Sequence, residues 1–202
     1  MRQWIATICL LVLCSVGTAQ AATVLVVGDS ISAAYGLETQ QGWVALLQER
    51  LQQTKTELKV VNASISGETT GGGLARFSGL LTQHQPDYVI IELGGNDGLR
   101  GLSLKQMKAN LTSMVQQAKQ QEAAVLLLGM RLPGNYGRRY TEGFYQVYQQ
   151  VAEQEQVAVV DFFLEGVGGV DGMMQADGVH PTQKAQALLL ENIWQGFAPL
   201  LP

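Results

Sequence analysis

Cysteine is nearly absent from this chain of 202 residues. Its two cysteines, Cys9 and Cys14, lie within an apolar run from Ile5 to Val16, and the small residues "AQA" follow at 19–21. This layout predicts a secretory signal peptide over residues 1–21, whereas the run is too short for the alternative, a membrane anchor. The chain that remains after cleavage has no cysteine. A disulfide, a cysteine nucleophile and a thiolate metal site are therefore excluded.

The sequence also has few charged residues and lacks several well-known catalytic and nucleotide-binding loop motifs. Charged residues make up only 15% of the chain and the net charge is −4. Without a long basic run, the sequence has no electrostatic footprint for nucleic acid. It contains no GxSxG elbow, no P-loop and no GxGxxG, so the α/β-hydrolase architecture and nucleotide binding lack support. No linker or repeat divides residues 22–202, and we expect one periplasmic or secreted domain that acts as a monomer.

The apolar pattern of the remaining chain alternates between two types of segment. Buried strands are predicted at 23–28, 57–65, 87–95, 123–130 and 157–163. Helical spacing predicts helices at 42–53, 72–85, 103–121, 141–155 and 182–201. Continuous apolar strands that alternate with helices are typical of a parallel sheet covered on both faces. The predicted fold is therefore a three-layer α/β/α domain with a five-stranded parallel sheet.

Polar residues with catalytic chemistry follow the predicted strands. Ser30 comes after the first strand, Gly67 after the second and Asn96 after the third, while Asp177 and His180 precede the last helix. Ligands of such folds bind outside the carboxyl ends of the strands. We therefore expect these residues to meet at one edge of the sheet.

Together these residue types can catalyse acyl transfer. A serine hydroxyl such as Ser30 needs a base, which His180 can supply, and Asp177 can hold the imidazole in the right tautomer. The attacked carbonyl becomes an oxyanion, which needs preorganised donors. The backbone N–H groups of Ser30 and Gly67 and the side-chain amide of Asn96 are the candidates.

Each of these residues also has an ordinary structural interpretation. Ser30 after a strand could cap a helix, Asn96 and Asp97 could form a turn, and His180 could be structural. The "DG" of Asp177 and Gly178 is a common turn dipeptide. Their joint occurrence at the strand ends favours catalysis over these separate roles.

Four sequence blocks, "GDS", "NASISGETT", "GGND" and "DGVH", occur in this order. They resemble the four blocks of the SGNH (GDSL-type) hydrolase family, except that Ile31 stands where the family name has leucine. The stretches "ELGGNDGLRGL" and "RLPGNYGRRY" are similar to the family's bacterial periplasmic thioesterase, lysophospholipase and arylesterase group. The resemblance implies a flavodoxin-like fold, hydrolysis of acyl esters and thioesters, and no metal or organic cofactor. It also implies the roles given above for Ser30, Gly67, Asn96, Asp177 and His180.

Two loops after the third and fourth strands are expected to bind the acyl chain. Leu99, Arg131, Leu132 and Pro133 are the candidate substrate-binding residues, although the leucines could instead cover the edge of the core. Arg131 could reach an acidic headgroup or a local carboxylate. Two other functions remain open: a glycan acetylesterase on the same fold, and a non-catalytic module that binds an anion or lipid.

Overall fold

The computed structural model describes residues 22–54 and 58–202, and within them five strands alternate with six α-helices. The strands are β1 (Ala22–Gly28), β2 (Leu58–Asn62), β3 (Tyr88–Glu92), β4 (Ala124–Leu128) and β5 (Ala158–Val160). The helices are α1 (Trp43–Gln53), α2 (Thr70–His84), α3 (Gly95–Leu99), α4 (Leu104–Gln120), α5 (Arg138–Glu155) and α6 (Gln186–Phe197).

All five strands are parallel and lie in the order β2-β1-β3-β4-β5. The chain places β2 on one side of β1, and it then adds β3, β4 and β5 in order on the other side. Because such crossovers are right-handed, helices from the two directions cover opposite faces of the sheet. Accordingly α1 packs against α6, while α4 packs against α2 and α5. The predicted three-layer α/β/α fold with flavodoxin-like strand order is confirmed.

β1 is an interior strand of the sheet, and this position accounts for its apolar sequence. Val24, Leu25, Val26 and Val27 have no exposed surface, because strands flank β1 on both sides and helices cover both faces. In the register of the sheet, Gly28 of β1 pairs with Glu92 of β3. The two strands therefore end at the same level, and the loops that follow them start side by side.

The third strand is shorter than predicted. It ends at Glu92 rather than at residue 95, because Gly94 adopts a left-handed φ of 117° and becomes the N-cap of α3. The sequence analysis missed α3, a single short helix whose letters "GNDGL" are typical of a turn. The short helix carries Asn96 in its first turn and so decides where that side chain points.

The other predicted bounds differ from the observed ones by up to four residues. The largest error is in the last helix, which was predicted at 182–201 and runs as an α-helix only from Gln186 to Phe197. Short 3-10 turns flank it at Gln183–Ala185 and Ala198–Leu200. Pro199 has no N–H for an α-helical hydrogen bond, which accounts for the end of the helix at Phe197.

The described part of the chain contains no helix with the length and apolar character needed to cross a membrane. The predicted signal peptide, residues 1–21, and both cysteines lie outside the described residues.

Candidate active site

Side chains from separate loops meet at the carboxyl edge of the sheet around one cavity of about 670 Å³. Ser30, Gly67, Asn96 and His180 all line this cavity. They come from the loops after β1 and β2, from α3, and from the loop between β5 and α6. Asp177 does not line the cavity, but contacts His180. The structure thus brings together all five residues that the sequence analysis selected.

Ser30 sits in a tight turn and not at the start of a helix. The turn is closed by hydrogen bonds from the Ala33 N–H to the Asp29 carbonyl, 3.0 Å, and from the Tyr35 N–H to the Ser30 carbonyl, 2.9 Å. The helix-cap interpretation of Ser30 is therefore wrong. The Ser30 hydroxyl oxygen lies 2.9 Å from Nε2 of His180, which is within reach for proton transfer.

Asp177 holds the opposite nitrogen of the His180 ring. Its Oδ2 lies 2.7 Å from His180 Nδ1, and its Oδ1 accepts the backbone N–H groups of His180, at 3.0 Å, and Val179, at 2.9 Å. The hydrogen bonds from His180 and Val179 hold the pKa of Asp177 well below its ordinary range. An ionised Asp177 favours the proton on Nδ1, which leaves Nε2 free to accept the proton of Ser30.

Gln175 connects the histidine loop to the serine loop. Its side-chain Nε2 donates to the carbonyl oxygens of Tyr35, at 2.8 Å, and Pro181, at 3.0 Å. Its backbone N–H donates to the His180 carbonyl at 2.7 Å. The Tyr35 ring also lies against the His180 ring, with centroids 4.3 Å apart. Gln175 could not be recognised from the sequence, because no motif marks a glutamine whose partners are backbone carbonyls.

Asn96 points its amide toward the serine turn. Its Nδ2 donates one hydrogen bond to Oδ2 of Asp29 at 3.0 Å, while Oδ1 of Asp29 accepts the N–H of Ile31 at 3.0 Å. The amide nitrogen carries a second hydrogen, which is available to an oxyanion in the cavity. Asp29 thus fixes both the turn and the orientation of Asn96.

Two backbone N–H groups complete the candidate oxyanion site. Those of Ser30 and Gly67 donate to no acceptor within residues 22–54 and 58–202. Gly67 has a left-handed φ of 78°, which a side chain rarely adopts. Arg100 donates from Nη2 to the Gly67 carbonyl at 2.9 Å and so fixes the adjacent peptide. Arg100 could not be recognised from the sequence, because nothing local connects it to residue 67.

A second buried carboxyl lies behind the serine turn. Oε2 of Glu92 accepts the N–H of Asp29 at 3.1 Å and the hydroxyl of Ser32 at 2.7 Å. Burial, followed by the charge of Asp29, raises the pKa of Glu92 well above its ordinary range. Burial also raises the pKa of Asp29, against the effect of its hydrogen bond from Ile31. The sequence analysis assigned no function to Glu92.

The rest of the cavity wall is mainly apolar. The predicted substrate-binding residues Leu99, Arg131, Leu132 and Pro133 all line it, and other apolar lining residues are Ile31, Met130, Phe162, Leu164 and Met174. Leu132 also packs against the hydrophobic core, so the two roles considered for it coexist. Tyr35 and Val179 line the cavity and are 52% and 40% exposed, which places its mouth at the surface.

Arg131 is held by aromatic rings. Its guanidinium carbon lies 4.2 Å from the ring centroid of Tyr145 and 5.6 Å from that of Phe162. Cation–π contacts of this kind fix the side chain along the cavity wall. The sequence left two partners open for Arg131, an acidic headgroup and a local carboxylate. Among the described residues, no carboxylate forms a hydrogen bond or ion pair with Arg131.

The described residues contain no cluster of three or more histidine, cysteine, aspartate or glutamate side chains that could hold a metal ion.

Comparison with known proteins identifies one family across most of the chain. Residues 26–188 match the model of the GDSL-like Lipase/Acylhydrolase family. "Esterase TesA" of Pseudomonas aeruginosa is 58% identical over 201 residues, which span 100% of both chains. "Thioesterase 1/protease 1/lysophospholipase L1" of Escherichia coli K12 is 42% identical over 199 residues, 98% of this chain and 94% of the other. The crystal structure of TesA superposes with a TM-score of 0.87 at 62% identity, covering 89% of this chain and 99% of that one.

Proposed function

This chain belongs to the GDSL-like lipase/acylhydrolase family and is an ester hydrolase, and we propose that it cleaves acyl esters and thioesters through a covalent acyl-enzyme on Ser30. The observation that carries the proposal is the chain of contacts from Asp177 to His180 to Ser30, with distances of 2.7 and 2.9 Å, at one end of an apolar cavity. A non-catalytic binding module, considered above, is wrong for this chain.

In the first half of the reaction, Nε2 of His180 takes the proton of Ser30 as the serine oxygen attacks the substrate carbonyl carbon. The carbonyl oxygen becomes an oxyanion that accepts hydrogen bonds from the N–H groups of Ser30 and Gly67 and from the amide of Asn96. The carbon–oxygen or carbon–sulfur bond then breaks. His180 donates its proton to the leaving alcohol or thiol, and the acyl group stays on Ser30.

In the second half, a water molecule takes the place of the leaving group. Nε2 of His180 accepts a proton from this water while its oxygen attacks the acyl carbon. The same oxyanion donors stabilise the second tetrahedral intermediate. It collapses to a free carboxylic acid, and His180 returns the proton to Ser30. Asp177 stays ionised throughout and stabilises the charged imidazolium that forms twice per turnover.

The apolar wall favours acyl chains over small acyl groups. Burial of each methylene along Leu99, Leu132, Phe162 and Leu164 contributes about 0.8 kcal/mol. The exposed mouth at Tyr35 leaves space for a leaving group to stay outside the cavity. We therefore propose medium- or long-chain esters, thioesters and lysophospholipids as substrates, and the names of the two relatives include esterase, thioesterase and lysophospholipase.

The proposal for the cellular setting rests on the sequence. We propose that residues 1–21 direct export, so that the enzyme acts in the periplasm or outside the cell. We also propose that it acts as a monomer. Acyl-CoA is not a normal constituent there, and lysophospholipids or external esters are the more plausible natural substrates.

The test is hydrolysis of p-nitrophenyl esters from acetate to palmitate by the wild type and by Ser30→Ala. We expect a rate maximum at medium chain lengths and loss of nearly all turnover in Ser30→Ala. The control is Ser78→Ala, which changes an exposed serine of α2. Turnover retained in Ser30→Ala would overturn the nucleophile assignment. Turnover confined to acetate would instead support the glycan acetylesterase.

A further inference from the structure

Glu92 is a fully buried carboxyl that the proposed reaction does not use. It is the last residue of β3 and has 0% of its surface exposed. It forms no ion pair with any lysine, arginine or histidine of the described residues, and its Oε1 has no hydrogen-bond partner among them. A buried carboxyl without a cation destabilises a fold, and such groups concentrate at functional sites.

The other oxygen of Glu92 supports the serine turn directly. Oε2 accepts the backbone N–H of Asp29 at 3.1 Å and the hydroxyl of Ser32 at 2.7 Å, so two residues of the turn bind to one atom. The turn also fits closely on this carboxyl. A Cβ at Gly28 would lie 2.6 Å from the Ser32 hydroxyl and 2.8 Å from Oε2 of Glu92. The backbone of Gly28 can approach only because it has no side chain.

From Glu92 the contacts continue to the oxyanion donors. Asp29, which Glu92 holds by its N–H, accepts the Asn96 amide at 3.0 Å. The next peptide along the chain carries the Ser30 N–H. Two of the three proposed donors are therefore positioned by the turn that Glu92 supports. Because transition-state stabilisation depends on donor geometry, an error of about 1 Å in such a group lowers a rate by roughly a hundredfold.

The contacts of the two carboxyls favour an ionised Asp29 and a protonated Glu92. Both oxygens of Asp29 accept hydrogen bonds, which suits an ionised group, whereas Oε1 of Glu92 has no donor in the described part of the chain. The titratable groups that face Glu92 are Asp29 and the hydroxyl of Tyr148 from α5, which donates to the Leu93 carbonyl at 3.1 Å. Neither supplies a positive charge, so the arrangement favours a neutral Glu92 beside a charged Asp29. Burial and the charge of Asp29 raise the pKa of Glu92 in the same direction.

We propose that Glu92 is a positioning residue for ester hydrolysis, a neutral buried acid that fixes the Asp29–Ser30 turn and, through Asp29, the amide of Asn96. The inference rests on the proposed function, in which Ser30 and Asn96 act on the substrate carbonyl. Glu92 itself touches no reacting atom. Its removal should therefore lower kcat and leave KM nearly unchanged, because the misplaced donors act mainly in the transition state.

The experiment compares Glu92→Leu and Glu92→Gln with the wild type, using p-nitrophenyl octanoate and active-site titration with a fluorophosphonate. Glutamine keeps the shape of a protonated glutamate, with its carbonyl in place of Oε2 and its NH₂ group in place of the protonated oxygen. We expect kcat per titrated site to fall about 10- to 100-fold in Glu92→Leu, with KM within about twofold. In Glu92→Gln, kcat should stay within about threefold of the wild type.

The matched control is Glu155→Leu, which removes another buried glutamate. Glu155 is 9% exposed, lies at the C-terminal end of α5 and accepts hydrogen bonds from Gln116 and Gln154. Its replacement should lower stability without changing kcat per titrated site. If Glu92→Leu does not fold, Ser32→Ala supplies the test. It removes one donor to Oε2 and should lower kcat about three- to tenfold.

A wild-type kcat in folded Glu92→Leu, or in Ser32→Ala where Glu92→Leu does not fold, would overturn the inference. An equal loss in Glu92→Gln and Glu92→Leu would overturn the neutral state of Glu92. Ser30→Ala, assayed in parallel, separates the two levels of the hypothesis. If Ser30→Ala retains activity, the proposed function fails. If Ser30→Ala is inactive while Glu92→Leu is normal, only the positioning role fails.

Discussion

Replacement of Asn96 by alanine tests whether the Asn96 amide stabilises the oxyanion in the proposed mechanism. The substitution removes one of three donors, and loss of one such donor lowers kcat about 100- to 1000-fold, or about 2.7–4 kcal/mol. The donor meets full negative charge only in the tetrahedral intermediates, so KM should change little. The substitution also removes the 3.0 Å hydrogen bond to Asp29, which makes the turn less stable.

Asn96→Asp sharpens this prediction because it keeps the shape of the side chain. The new carboxylate would lie about where the amide now donates, 3.0 Å from Oδ2 of Asp29. Two unit charges at that distance repel by about 5 kcal/mol at an effective dielectric constant of about 20. The variant would also present an acceptor to the developing oxyanion. We therefore expect Asn96→Asp to lose more activity than Asn96→Ala.

The assay is kcat and KM with p-nitrophenyl octanoate, normalised by active-site titration. Asn110→Ala is the matched control, since it removes a buried amide that donates to the Thr70 hydroxyl at 3.0 Å outside the cavity lining. It should lower stability and keep kcat within about threefold. A kcat for Asn96→Ala within about threefold of the wild type would refute the assignment of Asn96 to the oxyanion site.

Three further predictions concern the base, a buried acid and a helix. Asp177→Asn should lower kcat/KM about 100- to 10,000-fold because an amide no longer enforces the productive His180 tautomer; near-normal kinetics would contradict this. The raised pKa of Glu92 means that folding favours its protonated form. The unfolding free energy should therefore fall as pH rises above the ordinary glutamate pKa, by at most about 1.4 kcal/mol per pH unit. Melting temperatures of Glu92→Gln should therefore exceed those of the wild type by more at about pH 8 than at about pH 5, and a constant difference would exclude the linkage. In α2, Gly79→Ala should raise the unfolding free energy by about 0.5–1 kcal/mol, because a Cβ there would meet no atom of the described residues within 4 Å. Gly73→Ala should lower the unfolding free energy by about 1–3 kcal/mol, because its Cβ would lie 2.3 Å from a buried leucine methyl group. A denaturant titration that gives the opposite order would refute the packing argument.

The sequence could predict the sheet because each strand carries its own signal. A strand buried on both faces must be continuously apolar, and parallel strands connected through helices have few possible orders. The convergence of Ser30, Asn96 and His180 follows from the same rule, since the carboxyl ends of parallel strands share one edge. These features are local in sequence or follow from topology alone.

Residues that act through long-range partners could not be predicted in this way. In the sequence, Glu92 is a single glutamate in an apolar strand. Its proposed positioning role depends on the turn at Asp29, which is 63 residues away. Gln175 donates to the backbone carbonyl of Tyr35, and Arg100 donates to that of Gly67. Because every residue has a backbone carbonyl, no residue type in the sequence marks such a partner. The positions of these side chains therefore depend on contacts between segments that are distant in the sequence.

The contact between Ser30 and His180 spans 150 positions of the chain. The serine lies two residues after the end of β1, whereas the histidine lies in the loop that enters α6. In the proposed mechanism, recovery of esterase activity during refolding therefore reports that the C-terminal segment has docked beside the serine turn. If the proposed mechanism holds, a chain whose C-terminal segment has not docked carries Ser30 without its base, and we expect it to hydrolyse no esters.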